Sequence, residues 1–279
     1  MNKFVKKLGA LALAAGLVFG ASFPTAQAAK EFEGQKVKVG VVGEADKELW
    51  QAVAEKAKKD EGIEIEITNF SDYNLPNAAV EDGSLDLNAF QHIIFLEEWN
   101  KANKGKVVNI GFTYVEPQGI YSEKVKSLDE LKAKDGAKIA IPNDVTNQGR
   151  ALLTLELAGL IEVDDAKGIL ASVSDVTKND KNIKFEEVDA SQTARSLKDV
   201  DAAVINGNYA ADANLTVKDA LFVDATDKAK LKDEYKNIIA VKESEKDNKL
   251  YKKVVEIFQS DEIAKKIEEL SKNSKIPMW

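Results

Sequence analysis

KVKVGVVG (36–43) and IEIEITNF (63–70) flank a helical stretch, and together these three segments set the class of the fold. The first run alternates and then becomes continuously apolar, which is typical of a strand that enters a buried sheet. Residues 45–62 place apolar side chains on one helical face and lysines on the other. A strand, a helix and a strand in this order predict a parallel pair joined by a right-handed crossover.

The succession of strands and helices is repeated later in the chain, which predicts two α/β lobes. We predict the following further elements: strand 107–115, helix 127–131, strand 138–144, helix 146–160, strand 183–190, helix 191–200, a strand from 202, and a strand at 237–243 before two amphipathic helices. The chain would cross between the lobes near 114–122 and near 233–240. One lobe would comprise 29–116 with 238–279, and the other 117–237. Ligands of open α/β sheets bind beyond the carboxyl ends of the strands, which here indicates the cleft between the lobes.

The first 28 residues are predicted to be a signal peptide. Three lysines precede a short apolar run, and Ala26-Gln27-Ala28 forms an A-x-A cleavage site. We therefore expect cleavage before Ala29 and an extracytoplasmic protein. No other segment approaches the length of a transmembrane helix.

Composition excludes several classes of function. The net charge is −8, and removing the three leader lysines makes it −11, which argues against nucleic acid and anionic membranes as partners. The sequence has no cysteine, so disulfides, thiol catalysis and cysteine metal sites are excluded, and Ser22 stands where a lipidated cysteine would be needed. No cluster of metal ligands, nucleophile–base pair or phosphate loop is evident, so we predict no enzyme, metal or cofactor.

Arginine use points to a binding site. Of 39 basic residues, only Arg150 and Arg195 are arginines. Arg150 lies near the start of a predicted helix, where a guanidinium can bind a carboxylate beside free backbone N–H groups. An ion pair with Asp144 is the structural alternative. Arg195 is explained by a surface pair with Asp199 at i+4.

Two further patterns leave a ligand role and a structural role open. The single histidine, His92, lies in LNAFQHIIFL (87–96), where it is either a half-buried core residue or, with Tyr73, Phe90 and Phe95, part of an apolar slot suited to a thioether. Asn206 lies where a buried strand ends, in VINGNY (204–209). It either faces a crevice or belongs to an Asn-Gly turn.

Four motifs carry a resemblance to a known family. DYNLPNAAVEDGSLDLNAFQH (72–92), the segment from GIYSEKV to ELAGLI (119–161), which contains PNDVTNQGR, and RSLKDVDAAVINGNYA (195–210) occur in the order and spacing of the NlpA family. These methionine-binding, MetQ-like proteins supply ABC importers. The resemblance spans nearly the whole predicted mature chain. It implies a periplasmic-binding-protein fold of type II-like architecture, in which two lobes close on a ligand.

The resemblance also implies roles for individual residues. The aromatic slot for the methionine side chain falls on Tyr73, Phe90, His92 and Phe95. The carboxylate-binding arginine falls on Arg150, and polar contacts to the amino-acid backbone fall on Asn206 and Asn237.

The chain departs from the family where FQHxPYL reads FQHIIFL, with Ile94 for proline and Phe95 for tyrosine. From the resemblance as a whole, we expect a monomeric protein that delivers L-methionine or a close relative to an importer permease with its ATPase. It would lie in the periplasm or at the outer cell surface. The alternatives are a methionine-containing dipeptide, methionine sulfoxide or another apolar amino acid as ligand, and a surface or adhesion protein on the same fold.

Overall fold

The computed structural model describes residues 30–224, 233–272 and 274–279. Its helices are α1 (Glu44–Glu61), α2 (Pro76–Asp82), α3 (Ile93–Asn103), α4 (Leu128–Ala133), α5 (Val145–Leu157), α6 (Gly207–Asp212), α7 (Lys249–Phe258) and α8 (Asp261–Leu270). Its strands are β1 (Lys36–Val42), β2 (Glu64–Phe70), β3 (Leu87–Asn88), β4 (Val107–Phe112), β5 (Tyr114–Val115), β6 (Gly119–Tyr121), β7 (Lys138–Pro142), β8 (Glu162–Val163), β9 (Val176–Lys178), β10 (Lys184–Val188), β11 (Ala202–Ile205), β12 (Phe222–Val223), β13 (Ile238–Lys242) and β14 (Ile276–Pro277). The predicted signal peptide lies outside the described residues.

The first lobe is built on a five-stranded sheet in the order β2-β1-β3-β13-β4. Strands β1 and β2 are parallel along their whole length, from Lys36 opposite Glu64 onward, as the opening segments predict. Helix α1 covers this sheet, and Trp50 of α1 packs on Phe258 of α7 with ring centroids 5.3 Å apart. The late strand β13 is antiparallel to β3 and β4, so the chain returns to this lobe near its end.

The second lobe is built on a five-stranded sheet in the order β10-β7-β11-β6-β12. Strands β10, β7 and β11 are parallel to one another, and β6 pairs with β11 in antiparallel orientation. Helix α5 buries Leu152 and Leu155 against the sheet. The chain is therefore a two-lobed α/β protein. The lobe limits of 29–116 with 238–279, and 117–237, remain predictions, although the strands of each sheet fall within them.

The segment predicted as one strand at 107–115 is two strands. β4 pairs with β13, whereas β5 pairs with β14, and the two are separated by Thr113. Thr113 donates its backbone N–H to the carbonyl of Asn237 at 2.9 Å. The break therefore lies where the chain leaves the first sheet toward the second lobe.

The helix predicted at 191–200 is wrong, because this stretch contains two short 3₁₀ turns, Ala190–Gln192 and Arg195–Lys198. The Thr193 hydroxyl between them donates to the carbonyl of Ala190 at 2.8 Å, a local bond that competes with helix formation. Arg195 and Asp199 are consequently not brought together by α-helical spacing, and no ion pair joins them.

Within the described residues, no helix has the length and apolar character needed to cross a membrane. Residues of both lobes instead meet in a shared apolar cluster that contains Val42 and Phe90 from the first lobe and Tyr121, Ile205 and Tyr209 from the second. This cluster lies along the cleft between the lobes.

Helix α5 offers a matched pair for testing the core. Leu152 is fully buried, whereas Leu157 on the same helix is 64% exposed. We expect Leu152→Ala to lower the free energy of unfolding by about 2–5 kcal/mol, because it leaves a cavity in the second lobe. Leu157→Ala should change it by less than about 0.5 kcal/mol. Urea denaturation of both variants checks this, and equal effects would contradict the assignment of α5 to the core.

Candidate functional site

The cleft between the lobes contains a narrow cavity of about 30 Å³. All seven predicted ligand residues line it. Tyr73, Phe90, His92 and Phe95 come from the first lobe, and Arg150 and Asn206 come from the second. Asn237 lies on the return crossing, directly before β13. The structure therefore brings together residues that lie up to 164 positions apart in the sequence.

One wall of the cavity is aromatic. The ring centroids of Tyr73, Phe90 and Phe95 lie 5.7, 5.9 and 5.8 Å from one another, and the two contacts made by Phe95 are edge-to-face. The Tyr73 hydroxyl donates to Asn208 Oδ1 of the second lobe at 2.6 Å, so its polar end is satisfied while its ring faces the other rings. This wall offers ring edges to an apolar ligand group.

His92 both caps helix α3 and lines the cavity. It is the N-cap of α3, and its Nδ1 accepts a hydrogen bond from the backbone N–H of Phe95 at 3.2 Å. The proton of the neutral ring is therefore on Nε2, which faces Asn147 Oδ1 at 3.5 Å. Burial lowers the pKa of His92 to about 3, and the charge of Arg150 acts in the same direction. The side chain is thus a neutral donor at ordinary pH.

Arg150 lies in the second turn of α5, beyond the free N–H groups of the first turn, and is 4% exposed. Its Nε donates to Asp224 Oδ2 at 2.6 Å, and its Nη2 donates to the carbonyl of Glu116 at 2.9 Å. The guanidinium also lies over the ring of Tyr235, 4.5 Å from the centroid. Its Nη1 has no hydrogen-bond partner in the described part of the chain, which leaves a donor on a side chain that borders the cavity.

Asp144 does not pair with Arg150, so that structural alternative is wrong. It is the N-cap of α5, and its Oδ1 accepts from the backbone N–H of Asn147 at 3.0 Å. The start of α5, where the sequence predicts free N–H groups for a ligand carboxylate, is thus occupied by this cap.

The alternative prediction that Asn206 belongs to an Asn-Gly turn is also wrong, because Asn206 is the residue between β11 and α6. Its Nδ2 donates to Asn147 Oδ1 at 2.6 Å, and its Oδ1 accepts from Gln118 Nε2 at 3.1 Å. These bonds hold the Asn206 side chain against the polar wall of the cavity.

Five residues that are not among the predicted ligand residues line the same cavity: Gln91, Glu116, Asn147, Gly207 and Asn208. Two of these residues could have been found from the sequence. Asn147 lies in the first turn of α5, three positions after the N-cap Asp144, and Asn208 lies two positions after Asn206. Glu116 lies on the crossing between the lobes. Burial raises the pKa of Glu116, and the ammonium of Lys275, 3.5 Å from its Oε1, opposes that shift.

Among the residues described, no three histidine, cysteine, aspartate or glutamate side chains are placed to hold a metal ion. The polar side of the cavity is instead made of amides, one guanidinium and the side chain of Glu116. Such groups can orient a small molecule that has both a charged end and an apolar end.

Residues 37–279 match the sequence family described as NlpA lipoprotein. The chain belongs to this family. It is 40% identical over 246 residues to the D-methionine-binding lipoprotein MetQ of Salmonella typhimurium, and the match covers 87% of this chain and 88% of the relative.

Solved structures of similar proteins show the same fold. A nutrient-binding protein from Burkholderia cenocepacia bound to methionine is 42% identical, with a TM-score of 0.82, over 87% of this chain and all of that one. The substrate-binding protein of a methionine transporter from Streptococcus pneumoniae is 40% identical, with a TM-score of 0.80, over 88% of this chain and 96% of that one.

The lowered pKa of His92 predicts an acid-dependent loss of stability. Between its unfolded pKa of about 6.5 and its folded pKa of about 3, the unfolded state binds more protons, so stability falls as the pH drops through this window. His92→Asn keeps an N-cap acceptor and removes the titration. From about pH 7.5 to about pH 5, we expect the wild type to lose about 2 kcal/mol relative to this variant. Urea denaturation at both pH values checks this, and parallel losses would contradict it.

Proposed function

We propose that this protein is an extracytoplasmic substrate-binding protein that captures L-methionine, or a close relative of it, and delivers it to an ABC importer. The observation that carries the proposal is the division of one small cavity into an aromatic wall and a wall with a buried guanidinium. Relatives named for methionine binding and for methionine transport support it.

The aromatic wall suits the methionine side chain. A thioether packs on ring edges for about 0.3–1.5 kcal/mol per contact, and burying the side chain adds roughly 1.5–3 kcal/mol. Tyr73, Phe90 and Phe95 present three rings less than 6 Å apart, with the neutral His92 beside Phe95 at 6.2 Å between centroids. A neutral imidazole adds no charge to this side of the cavity.

The opposite wall suits the amino-acid backbone. Arg150 offers Nη1 to a carboxylate, while Asp224 and the Glu116 carbonyl hold the guanidinium in place. The amides of Asn206 and Asn237 border the same space and would orient the zwitterion. The Arg150–Asp224 pair has no net charge, which matches an amino acid without net charge. Because micromolar binding needs about −8 kcal/mol, several of these contacts must act together.

The second candidate is another ligand of the same kind. The observation that favours it is Phe95, which lacks the hydroxyl that the family motif places there, next to Ile94 in place of proline. Methionine sulfoxide, another apolar amino acid and a methionine-containing dipeptide are the ligands to compare. The relatives named for D-methionine make both enantiomers part of the comparison.

The role we propose is capture without chemistry. The partners would be the permease and ATPase of an importer, with the protein acting as a monomer outside the cytoplasm. The cleft argues against a role only in surface adhesion, because an adhesin has no need of a buried arginine that faces a cavity.

Arg150→Lys tests the carboxylate contact. Lysine keeps the charge but not the planar set of donors, and a charged hydrogen bond contributes about 1.5–3 kcal/mol, so we expect methionine affinity to fall about 10- to 150-fold. Arg195→Lys, on an exposed 3₁₀ turn, is the matched control and should bind like the wild type. Calorimetric titration into protein that has been unfolded, dialysed free of ligand and refolded measures this. Wild-type affinity in a folded Arg150→Lys variant would refute the assignment.

Phe95→Ala tests the aromatic wall. It removes three edge-to-face contacts, with Tyr73, Phe90 and His92, and part of the apolar surface, so we expect methionine to bind about tenfold more weakly. Alanine, which has no side chain long enough to reach the wall, serves as the control ligand, and its affinity should be unaffected. Equal losses for both amino acids would show that Phe95 supports the fold and not the ligand side chain.

A further inference from the structure

Helix α1 begins without a capping side chain of its own. The residue before it is Gly43, which has a φ of 95° and offers no side-chain acceptor. Asp212, the last residue of α6, takes this place, because its Oδ1 accepts from the backbone N–H of Glu44 at 3.0 Å. A Cβ on Gly43 would lie 3.0 Å from Asp212 Oδ2, so the glycine leaves room for the carboxylate.

This contact joins the two lobes. Helix α1 follows β1 of the first sheet, and α6 follows β11 of the second. Helix α6 holds the junction of β1 and α1 at two points: near its start Asn208 Nδ2 donates to the carbonyl of Val42 at 3.3 Å, and at its end Asp212 caps α1. Asn208 lines the cavity and Asp212 does not. The same short helix therefore links the cavity to a contact outside it.

We propose that Asp212 is a closing residue: it caps α1 when the lobes are together, and so raises ligand affinity without touching the ligand. The inference rests on the proposed function, because closure around a ligand is what the cap would support. Opening the cleft would return both the carboxylate and the N–H groups of α1 to water.

The cap is favourable for two physical reasons. The first N–H groups of a helix have no partner within it, and aspartate is among the preferred residues to accept from them. A negative charge is also stabilised at a helix N-terminus. Two acids in the first turn oppose this, but Glu44 pairs with Lys47 at 3.0 Å and Asp46 with Lys275 at 2.5 Å, which reduces their repulsion of Asp212.

The size of the effect follows from the equilibrium between open and closed forms. Apparent affinity is the intrinsic affinity of the closed form multiplied by the fraction of protein that can adopt it. Removing a contact made only in the closed form lowers that fraction by the free energy of the contact. For a helix cap this corresponds to about a fivefold change.

Asp212→Ala is therefore expected to weaken methionine binding about fivefold, mainly through faster dissociation. Asp212→Asn should keep most of the affinity, because asparagine caps as well as aspartate. Ser127→Ala is the matched control. It removes the cap of α4, where Ser127 Oγ accepts from the N–H of Glu130 at 3.1 Å, but within one lobe. It should lower the melting temperature and leave the affinity unchanged.

A second measurement reads closure directly. The sequence has no cysteine, so spin labels on Glu55→Cys and Lys198→Cys, exposed positions on different lobes, report a single distance. Without methionine, we expect Asp212→Ala to shift this distance away from the closed value and Ser127→Ala to leave it in place, whereas saturating methionine should return Asp212→Ala to the closed value.

The outcomes separate the two proposals. If the wild type does not bind methionine, the proposed ligand is wrong. The proposed role of Asp212 is then tested by the spin-label distances of wild type and Asp212→Ala alone. If the wild type binds, equal affinities and equal distances in wild type and Asp212→Ala overturn the cap and leave the proposed function intact. If Asp212→Ala binds methionine more weakly and shows a shifted label distance, while Ser127→Ala shows neither change, the proposed role of Asp212 is supported.

Discussion

The ion pair between Arg150 Nε and Asp224 Oδ2 organises the polar half of the cavity. Both side chains are 5% exposed, and burying two charges is costly unless their geometry and their other hydrogen bonds are satisfied. Those bonds are present: Asp224 Oδ1 accepts from the backbone N–H of Gln118 at 2.9 Å, and Arg150 donates to the carbonyl of Glu116. The pair therefore fixes α5, the crossing between the lobes and residue 224 relative to one another.

The two lobes supply different chemistry to the cavity. The aromatic wall comes from the first lobe through Tyr73, Phe90 and Phe95, whereas Arg150 and Asn206 come from the second. A ligand with an apolar tail and a charged head can satisfy both walls only when the lobes are together. Water is then excluded, and each polar contact becomes stronger in the lower local dielectric. The selectivity that we propose thus follows from closure and not from either lobe alone.

The sequence predicted the parallel strands and the amphipathic helices because their periodicity is local information. It also selected seven residues that share one cavity, although that selection depended on a family resemblance. The partner of Arg150 was missed, because Asp224 lies 74 positions away and carries no local signal, whereas Asp144 carried a misleading one. The helix predicted around Thr193 failed since hydrogen bonds of short side chains outweighed a weak propensity.

The crossing at Glu116 is where buried charges of both lobes meet. On the first-lobe side, Lys275 Nζ lies 3.5 Å from Glu116 Oε1 and 2.5 Å from Asp46 Oδ1, and Tyr114 donates to that same oxygen of Asp46 at 2.6 Å. On the other side, Arg150 holds the carbonyl of Glu116. Removing one member of such a network leaves a charge buried without its partner, which costs more than the pair contributes. Glu116 is therefore tied to Lys275 and the first lobe through its side chain, and to Arg150 and the second lobe through its backbone carbonyl.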